Sequence, residues 1–196
     1  MLIPLLAQQN PTSAPAAAPS LQATTAANGK ELVLGQSAPL SGPSAQLGRD
    51  YREGALAWFD EVNRRGGIHG RKLRLVSLDD RYEPALTLRN TRRLIGKERA
   101  FALFGYVGTP TVKAILPLVE QAQIPLVAPL TGARLLREPF RPMVFNLRAS
   151  YQAEIDRIVD DLVRAGRHRI AVLHQEDAFG EGGLRASRSA LARRGL

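Results

Sequence analysis

Apolar and polar residues follow two alternating patterns along most of this chain. Short apolar runs, such as residues 31–37 (ELVLGQS) and 101–107 (FALFGYV), are typical of strands that are buried on both faces. Between such runs, apolar residues recur every three or four positions, as they do from residue 51 to 62, which is typical of an amphipathic helix. Because strand and helix patterns alternate, the sequence predicts an α/β fold with a doubly wound parallel sheet.

Six strands and the helices between them are predicted from these patterns. The first helix has an apolar stripe that includes Trp58 and Phe59, and Gly66 is expected to end it in a left-handed conformation. Pro117 falls inside the third helix, where its ring is expected to cause a kink. The predicted strands are residues 31–37, 72–78, 101–107, 124–130, 143–148 and 169–175.

The order of the patterns divides the chain into three parts. Residues 1–30 are rich in Ala, Pro, Ser and Thr and carry no charge before Lys30, so we expect a disordered leader or the remnant of an export signal. Residues 31–147 are expected to form a first α/β lobe that is complete or nearly so. Residues 148–196 supply a helix, a strand and another helix, which predict a second lobe that is only begun within this chain.

Charge and composition narrow the functional classes. The chain has 27 Lys and Arg against 18 Asp and Glu, a formal net charge of +9, which raises the question of nucleic-acid binding. The basic residues are scattered over predicted helix faces among acidic ones, and aromatic residues do not alternate with basic runs as stacking platforms for bases would. A solvated basic surface is therefore predicted, with no nucleic acid as a partner. The absence of cysteine excludes disulfides, thiolate metal sites and cysteine nucleophiles.

The turn after the third predicted strand is a candidate for ligand chemistry. Loops at the carboxyl ends of parallel strands contact ligands, and here Gly105 and Gly108 precede Thr109, Pro110 and a helix. The spacing lacks the lysine of a phosphate-binding loop, and no GxGxxG motif follows the first strand. Thr109 is a residue type that caps helices, with Pro110 in the first helical position. An ordinary capped helix start and a cradle for an anion such as a carboxylate both fit this turn.

The loop after the fourth predicted strand repeats this arrangement with Thr131 and Gly132, and either a plain turn or a second ligand-binding loop fits there. Catalytic and metal-binding sets are not predicted, because the histidines lack metal-binding spacing and no GxSxG motif occurs. Asp79 and Asp80 are adjacent, so their side chains should point to opposite sides, and we expect them to close a turn. No cofactor is expected.

Several motifs, taken in order, resemble one family of proteins. They are PLSGPSAQLG (residues 39–48), NRRGGIHG (63–70), DD (79–80), FGYVGTPT (104–111), IPLVAPLTGA (124–133), FNLRASY (145–151) and EDAFGEGG (176–183). Over residues 31–196 the chain is similar to type I periplasmic solute-binding proteins of ABC importers, the group that contains the leucine/isoleucine/valine-binding protein. The resemblance implies two α/β lobes that close on a small solute, and a C-terminally truncated member of the family.

The resemblance also implies which residues contact the solute. Thr109 is expected to offer its hydroxyl and N–H to a carboxylate, and Phe179 stands where members often carry an aromatic side chain. Leu47 stands where amino-acid-binding members carry an aromatic residue, so the resemblance does not name the solute. The implied ligand-binding residues are Ser41, Leu47, Thr109, Leu130, Thr131, Gly132, Tyr151 and Phe179.

The function implied by the resemblance is binding rather than catalysis. We expect an extracytoplasmic, periplasmic component of an ABC importer that carries a small amino acid or a related carboxylate or amide. Its expected partners are that small-molecule solute and an ABC permease in the membrane. A ligand-sensing domain of the same fold that acts in signalling is the alternative, and an enzyme built on a doubly wound sheet is a more remote one.

Overall fold

Five parallel strands form the sheet in the structure, a computed structural model that describes residues 30–196. The strands are β1 (Glu31–Ala38), β2 (Lys72–Asp79), β3 (Ala102–Phe104), β4 (Leu126–Val127) and β5 (Val144–Phe145). They are ordered β2-β1-β3-β4-β5, and each neighbouring pair is parallel. The predicted parallel α/β sheet is therefore confirmed. Apart from Lys30, the leader predicted at residues 1–30 lies outside the described residues.

Five α-helices connect or follow the strands within the described residues. They are α1 (Ala45–Arg64), α2 (Pro84–Gly96), α3 (Thr109–Ala122), α4 (Tyr151–Arg164) and α5 (Ala178–Ala192), and a 3₁₀ turn spans Arg134–Leu136. Gly66 has a φ of 101° just beyond α1, as predicted for a left-handed helix end. Pro117 lies inside α3 as predicted. Among residues 30–196, no helix combines the length and the hydropathy that crossing a bilayer requires.

The core lies between the sheet and helices α2 and α3. Leu103 of β3 pairs in register with Leu126 of β4, and both side chains are fully buried. Leu94 of α2 and Val112 and Ile115 of α3 are buried in the same cluster. Each such side chain contributes about 1.5–3 kcal/mol by leaving water. This layer therefore fixes α3 against the sheet, and with it the turn that joins β3 to α3.

The opposite face of the sheet is covered by α1 through aromatic contacts. Phe59 packs against Phe104 with ring centroids 5.3 Å apart, and Tyr51 stacks on Phe104 at 6.5 Å. Trp58, which was predicted to share this apolar stripe, is instead 62% exposed. Successive helix residues are rotated by about 100°, so when Phe59 faces the sheet, Trp58 turns away from it. Phe145, at the edge of the same face, is also largely exposed.

The strands differ from the predicted ones in two ways. β3, β4 and β5 are shorter than their apolar runs, because continuous pairing with neighbours covers only part of each run, and a separate parallel bridge joins Val107 to Leu130. The sixth strand, predicted at residues 169–175, is wrong: these residues form no strand, and Leu173 is fully exposed. A parallel strand needs a neighbour for its N–H and C=O groups, and within residues 30–196 no strand pairs with this segment.

We expect Leu103→Ala to lower the free energy of unfolding by about 2–5 kcal/mol, because it opens a cavity in the fully buried layer under α3. Urea unfolding followed by circular dichroism measures the change. Leu173→Ala removes the same atoms from an exposed position and should alter the stability by less than about 0.5 kcal/mol. Equal effects of the two substitutions would contradict this position of the core.

Candidate functional site

The turn between β3 and α3 brings a glycine and a threonine to the end of the central strand. Gly108 occupies the N-cap position with a φ of 103°, and Thr109 is the first helical residue. The prediction that Thr109 is the N-cap, with Pro110 first in the helix, is therefore wrong by one position. A Cβ on Gly108 would lie 2.3 Å from the ring of Tyr82, so only glycine fits there. The Thr109 hydroxyl consequently does not cap the helix.

Three hydroxyl groups meet beside this turn. Thr109 Oγ1 lies 2.7 Å from Thr131 Oγ1 and 3.4 Å from the Tyr151 hydroxyl oxygen. The Tyr151 hydroxyl donates to Thr131 Oγ1 at 3.1 Å, and the N–H of Ala133 donates to the same oxygen at 3.3 Å. All three hydroxyl-bearing side chains are more than nine-tenths buried. We call Thr109, Thr131 and Tyr151 the hydroxyl cluster.

The loop after β4 carries Thr131 to the cluster from the neighbouring strand end. The N–H of Leu130 donates to the carbonyl of Tyr106 at 2.7 Å, which joins this loop to the turn after β3. The carbonyl of Gly132 accepts from the N–H of Tyr151 at 2.9 Å. A Cβ on Gly132 would lie 2.6 Å from Cδ1 of Tyr151, so glycine permits the tyrosine ring to approach. Leu130 and Gly132 thus lie beside the cluster, as expected for loops at adjacent strand ends.

The first turn of α3 has two backbone donors next to the hydroxyl cluster. No backbone carbonyl within residues 30–196 accepts a hydrogen bond from the N–H of Thr109 or of Thr111, and Pro110 has no N–H. The N–H of Val112, in contrast, donates to the carbonyl of Gly108 at 3.2 Å. N–H groups at a helix N-terminus carry partial positive charge. This turn can therefore receive an anionic group such as a carboxylate.

Aromatic and basic side chains from beyond residue 147 pack against the cluster. Phe179 lies edge-on to Tyr151 with ring centroids 5.5 Å apart, and it is 42% exposed. Asp177 accepts from the N–H groups of Phe179 and Gly180 at 2.9 and 3.0 Å, which fixes Phe179 in the first turn of α5. The guanidinium of Arg148 lies 5.3 Å from the centroid of the Tyr151 ring, a cation–π contact.

Ser41 and Leu47 belong to a different part of the structure, the loop after β1 and the start of α1. Ser41 donates its hydroxyl to Asp79 Oδ2 at 2.5 Å, and the N–H of Leu40 donates to Asp79 Oδ1 at 2.8 Å. Partial burial raises the pKa of Asp79, but hydrogen bonds from Ser41, Leu40 and Arg81 outweigh it and hold the pKa below its ordinary value. Leu47 is 52% exposed. The structure therefore joins Ser41 to Asp79 and does not join it to the hydroxyl cluster.

Asp80 points to the other side of the same turn, as predicted for adjacent residues. It is fully buried and accepts hydrogen bonds from the hydroxyls of Ser37 and Thr87 at 2.8 and 3.1 Å. It also accepts from the N–H of Tyr82 at 2.9 Å. Burial raises the pKa of Asp80, and these hydrogen bonds oppose the rise without cancelling it. The prediction that the two aspartates close a turn is confirmed.

A cavity of about 590 Å³ adjoins the hydroxyl cluster. It lies between the loop after β4 and helices α4 and α5, and Gly132, Tyr151, Arg137 and Gln152 line part of it. Polar groups converge on a partly apolar wall, which suits a small organic solute. Within residues 30–196, no group of three or more His, Asp or Glu side chains is placed to hold a metal ion.

Two residues that border the cluster were missing from the predicted set. Arg148 lies in the motif FNLRASY, three residues before Tyr151. This closeness in sequence to a predicted site residue indicates that Arg148 also borders the site. Tyr82 reaches Gly108 through the packing of two turns that are far apart in sequence. Such a contact leaves no local pattern, and the sequence indicated only that Tyr82 lies in a turn.

Residues 31–196 match the family model described as periplasmic binding protein. The chain belongs to this family. The match covers all of the strands and helices described above, and the fold agrees with it: a parallel α/β lobe followed by helices that start beyond residue 147. The recognition made from the motifs is therefore confirmed.

Relatives of the chain include proteins from several bacteria. An amino acid binding protein of Pseudomonas aeruginosa is 28% identical over 170 residues, which are 85% of this chain and 45% of that protein. A substrate-binding periplasmic protein of Ralstonia solanacearum is 39% identical, with a TM-score of 0.81, over 85% of this chain and 47% of the solved one. A possible leucine/isoleucine/valine-binding protein of Rhodopirellula baltica is 36% identical, with a TM-score of 0.80, over 92% of this chain and 47% of the solved one. This periplasmic binding protein chain thus spans somewhat under half the length of these relatives.

We expect Asp79→Asn to lower the stability of this periplasmic binding protein at pH 7, because it weakens the bonds to Ser41 and Leu40. The pKa of Asp79 is lower in the folded chain than in the unfolded one. Its contribution is therefore complete above the unfolded value of about 4 and is lost as the pH falls through the folded pKa.

The difference in unfolding free energy between the unmodified chain and Asp79→Asn should stay constant above about pH 5 and shrink below about pH 4. Urea unfolding at a series of pH values measures it. Asp60→Asn, at an exposed position of α1, serves as the control and should change the stability by less than about 0.5 kcal/mol. A difference that grows toward low pH would contradict the role given to Asp79.

Proposed function

We propose that this chain belongs to an extracytoplasmic solute-binding component of an ABC importer, which binds a small amino acid or a related carboxylate or amide. The observation that carries the proposal is the hydroxyl cluster next to the first turn of α3, where the N–H groups of Thr109 and Thr111 have no backbone acceptor within residues 30–196. Hydroxyl donors and helix N-terminal amides together suit a carboxylate. Membership of the periplasmic binding protein family supports the same reading.

The names of the relatives support the solute class. The Pseudomonas aeruginosa relative is described as an amino acid binding protein, and the Rhodopirellula baltica relative as a possible leucine/isoleucine/valine-binding protein. At 28% and 36% identity these names guide the choice of solutes to test. Leu47 stands where amino-acid-binding members carry an aromatic side chain, so the resemblance does not name the solute within this class.

Each predicted site residue has a place in this proposal. The hydroxyl cluster and the first turn of α3 hold the carboxylate, and Leu130 and Gly132 form the adjoining wall. Ser41 and Leu47 border the side-chain end of the solute, and Phe179 approaches from the region after residue 147, which we propose as the start of a second lobe. Closure of the two lobes on the solute selects the conformation that a membrane permease recognises.

Binding rather than catalysis is proposed because the cluster lacks a general base. The hydroxyl of Thr109 has two hydrogen-bonding partners in the described part of the chain, and both are hydroxyls. Acyl or phosphoryl transfer by such a hydroxyl requires an adjacent histidine, lysine or carboxylate. Periplasmic localisation and an ABC permease as a partner are part of the proposal and are supported by membership of the family, and the absence of nucleic-acid binding is also part of it.

A thermal-shift screen tests the proposal. The chain is melted with L-leucine, L-isoleucine, L-valine, the other amino acids, short carboxylates and amides. A ligand at 100 times its Kd adds about 2.7 kcal/mol of stability and raises the midpoint clearly. A shift with one of these solute classes supports the proposal and names the class. A cooperative melt that none of them moves would overturn the proposed solute class for this chain.

We expect Thr109→Ala to weaken binding of the solute identified in that screen by about 1–3 kcal/mol, because a buried donor is lost. Isothermal titration measures the affinity. Thr109→Ser keeps the hydroxyl and should retain most of the affinity, which separates the hydroxyl from the methyl group. Unchanged affinity in Thr109→Ala would remove Thr109 from the site.

A further inference from the structure

The turn after β2 holds two consecutive residues in a conformation that is rare for their type. Arg81 and Tyr82 have φ values of 52° and 66°, in the left-handed region that glycine normally occupies. Each such residue costs about 1–2 kcal/mol. The N–H of Tyr82 donates to Asp80 Oδ1 at 2.9 Å, and the N–H of Glu83 donates to the carbonyl of Asp80 at 2.7 Å. Because Asp80 is itself fixed in the core, the turn can hold Tyr82 in this conformation.

The conformation directs the Tyr82 ring onto the turn that begins α3. An ideal Cβ on Gly108 would lie 2.3 Å from Tyr82 Cε2 and 2.9 Å from Cζ, the carbon that carries the hydroxyl. Gly108 directly precedes Thr109, the first residue of the helix. The phenol end of Tyr82 therefore lies against the turn whose N–H groups and hydroxyl form the proposed carboxylate site.

The hydroxyl of Tyr82 makes no hydrogen bond to any residue in the described part of the chain, although the ring is partly buried. Burial raises its pKa to about 12, and the negative charges of Asp177 and Asp80 add to the rise. The phenol is consequently neutral near pH 7 and retains its proton for donation. Packing on Gly108 needs only the ring, which a phenylalanine would supply equally well.

We propose that Tyr82 is a solute-contacting residue that sets specificity by donating a hydrogen bond from its hydroxyl to the carboxylate of the solute. The inference rests on the proposed function and adds a donor that neither the motifs nor the hydroxyl cluster includes. It accounts for two features at once: the strained turn that carries Tyr82, and a glycine at the N-cap of α3, where serine, asparagine or aspartate is the commoner choice.

Tyr82→Phe tests the inference, with L-leucine and L-leucinamide as probes in isothermal titration. Removal of the hydroxyl should weaken L-leucine binding about tenfold, because a hydrogen bond to a charged acceptor is lost. The loss should be clearly smaller for L-leucinamide, whose neutral carbonyl is a weaker acceptor. The thermal midpoint without solute should stay within about 1 °C of the unmodified chain, because the variant removes no hydrogen bond among the described residues.

Tyr106→Phe is the matched control. Its hydroxyl lies 2.9 Å from Thr91 Oγ1 in the fully buried core. Loss of that hydroxyl should lower the midpoint and leave the affinity for L-leucine unchanged. The two variants should thus have different effects. Tyr82→Phe should change the affinity for L-leucine and not the thermal midpoint, whereas Tyr106→Phe should change the midpoint and not the affinity.

The remaining outcomes overturn the inference. Equal losses for L-leucine and L-leucinamide would show that the hydroxyl of Tyr82 does not contact the carboxylate, and no loss for either would remove the hydroxyl from the site. Both results leave the proposed function intact, because the unmodified chain still binds. If the unmodified chain binds neither these two probes nor any solute of the thermal-shift screen, the proposed function fails and the role of Tyr82 fails with it.

Discussion

The two aspartates at the end of β2 hold the loops on which the candidate site depends. Asp79 accepts from Ser41 and fastens the loop that precedes α1, whereas Asp80 accepts from Ser37 and Thr87 inside the core. Adjacent residues at a strand end point to opposite sides, so one dipeptide reaches both a surface loop and the core. A shift of register by one residue would bury the wrong carboxylate. The turn is therefore fixed from both sides.

This fixation allows the turn to carry backbone strain. Hydrogen bonds to a charged acceptor contribute about 1.5–3 kcal/mol each, whereas a left-handed residue other than glycine costs about 1–2 kcal/mol. Asp80 accepts three such bonds through its carboxylate, and the strain falls on Arg81 and Tyr82. Burial of the carboxylate opposes the gain from these bonds, so it is the position of the bonds that holds both residues in the strained conformation. Strain that survives in this way marks a position where the conformation of the side chain matters.

The general architecture could be predicted from the sequence, because apolar runs and helical spacing report burial directly. The rule that loops meet at the carboxyl ends of parallel strands also predicted that Thr109 and Thr131 would be neighbours. The rest depended on contacts that leave no local pattern. Trp58 and Phe59 are both apolar, and only packing on the sheet decides which of them faces inward. Residues 169–175 have the composition of a strand, but composition does not supply the neighbour that a strand requires.

The three hydroxyls of the cluster already hydrogen-bond to one another, so a solute must replace one of these contacts in order to bind. The 3.4 Å contact between Thr109 and Tyr151 is the longest of the three contacts among its hydroxyls, so a solute oxygen displaces it at the least cost. A buried hydroxyl that loses a partner must gain another, because an unpaired one costs about 1–3 kcal/mol. When the contact between Thr109 and Tyr151 opens, each of them keeps a hydrogen bond to Thr131, so neither hydroxyl is left unpaired. In the proposed function, the Thr109 hydroxyl then donates to one oxygen of the solute, and the second oxygen of a carboxylate can accept from the N–H groups of the first turn of α3.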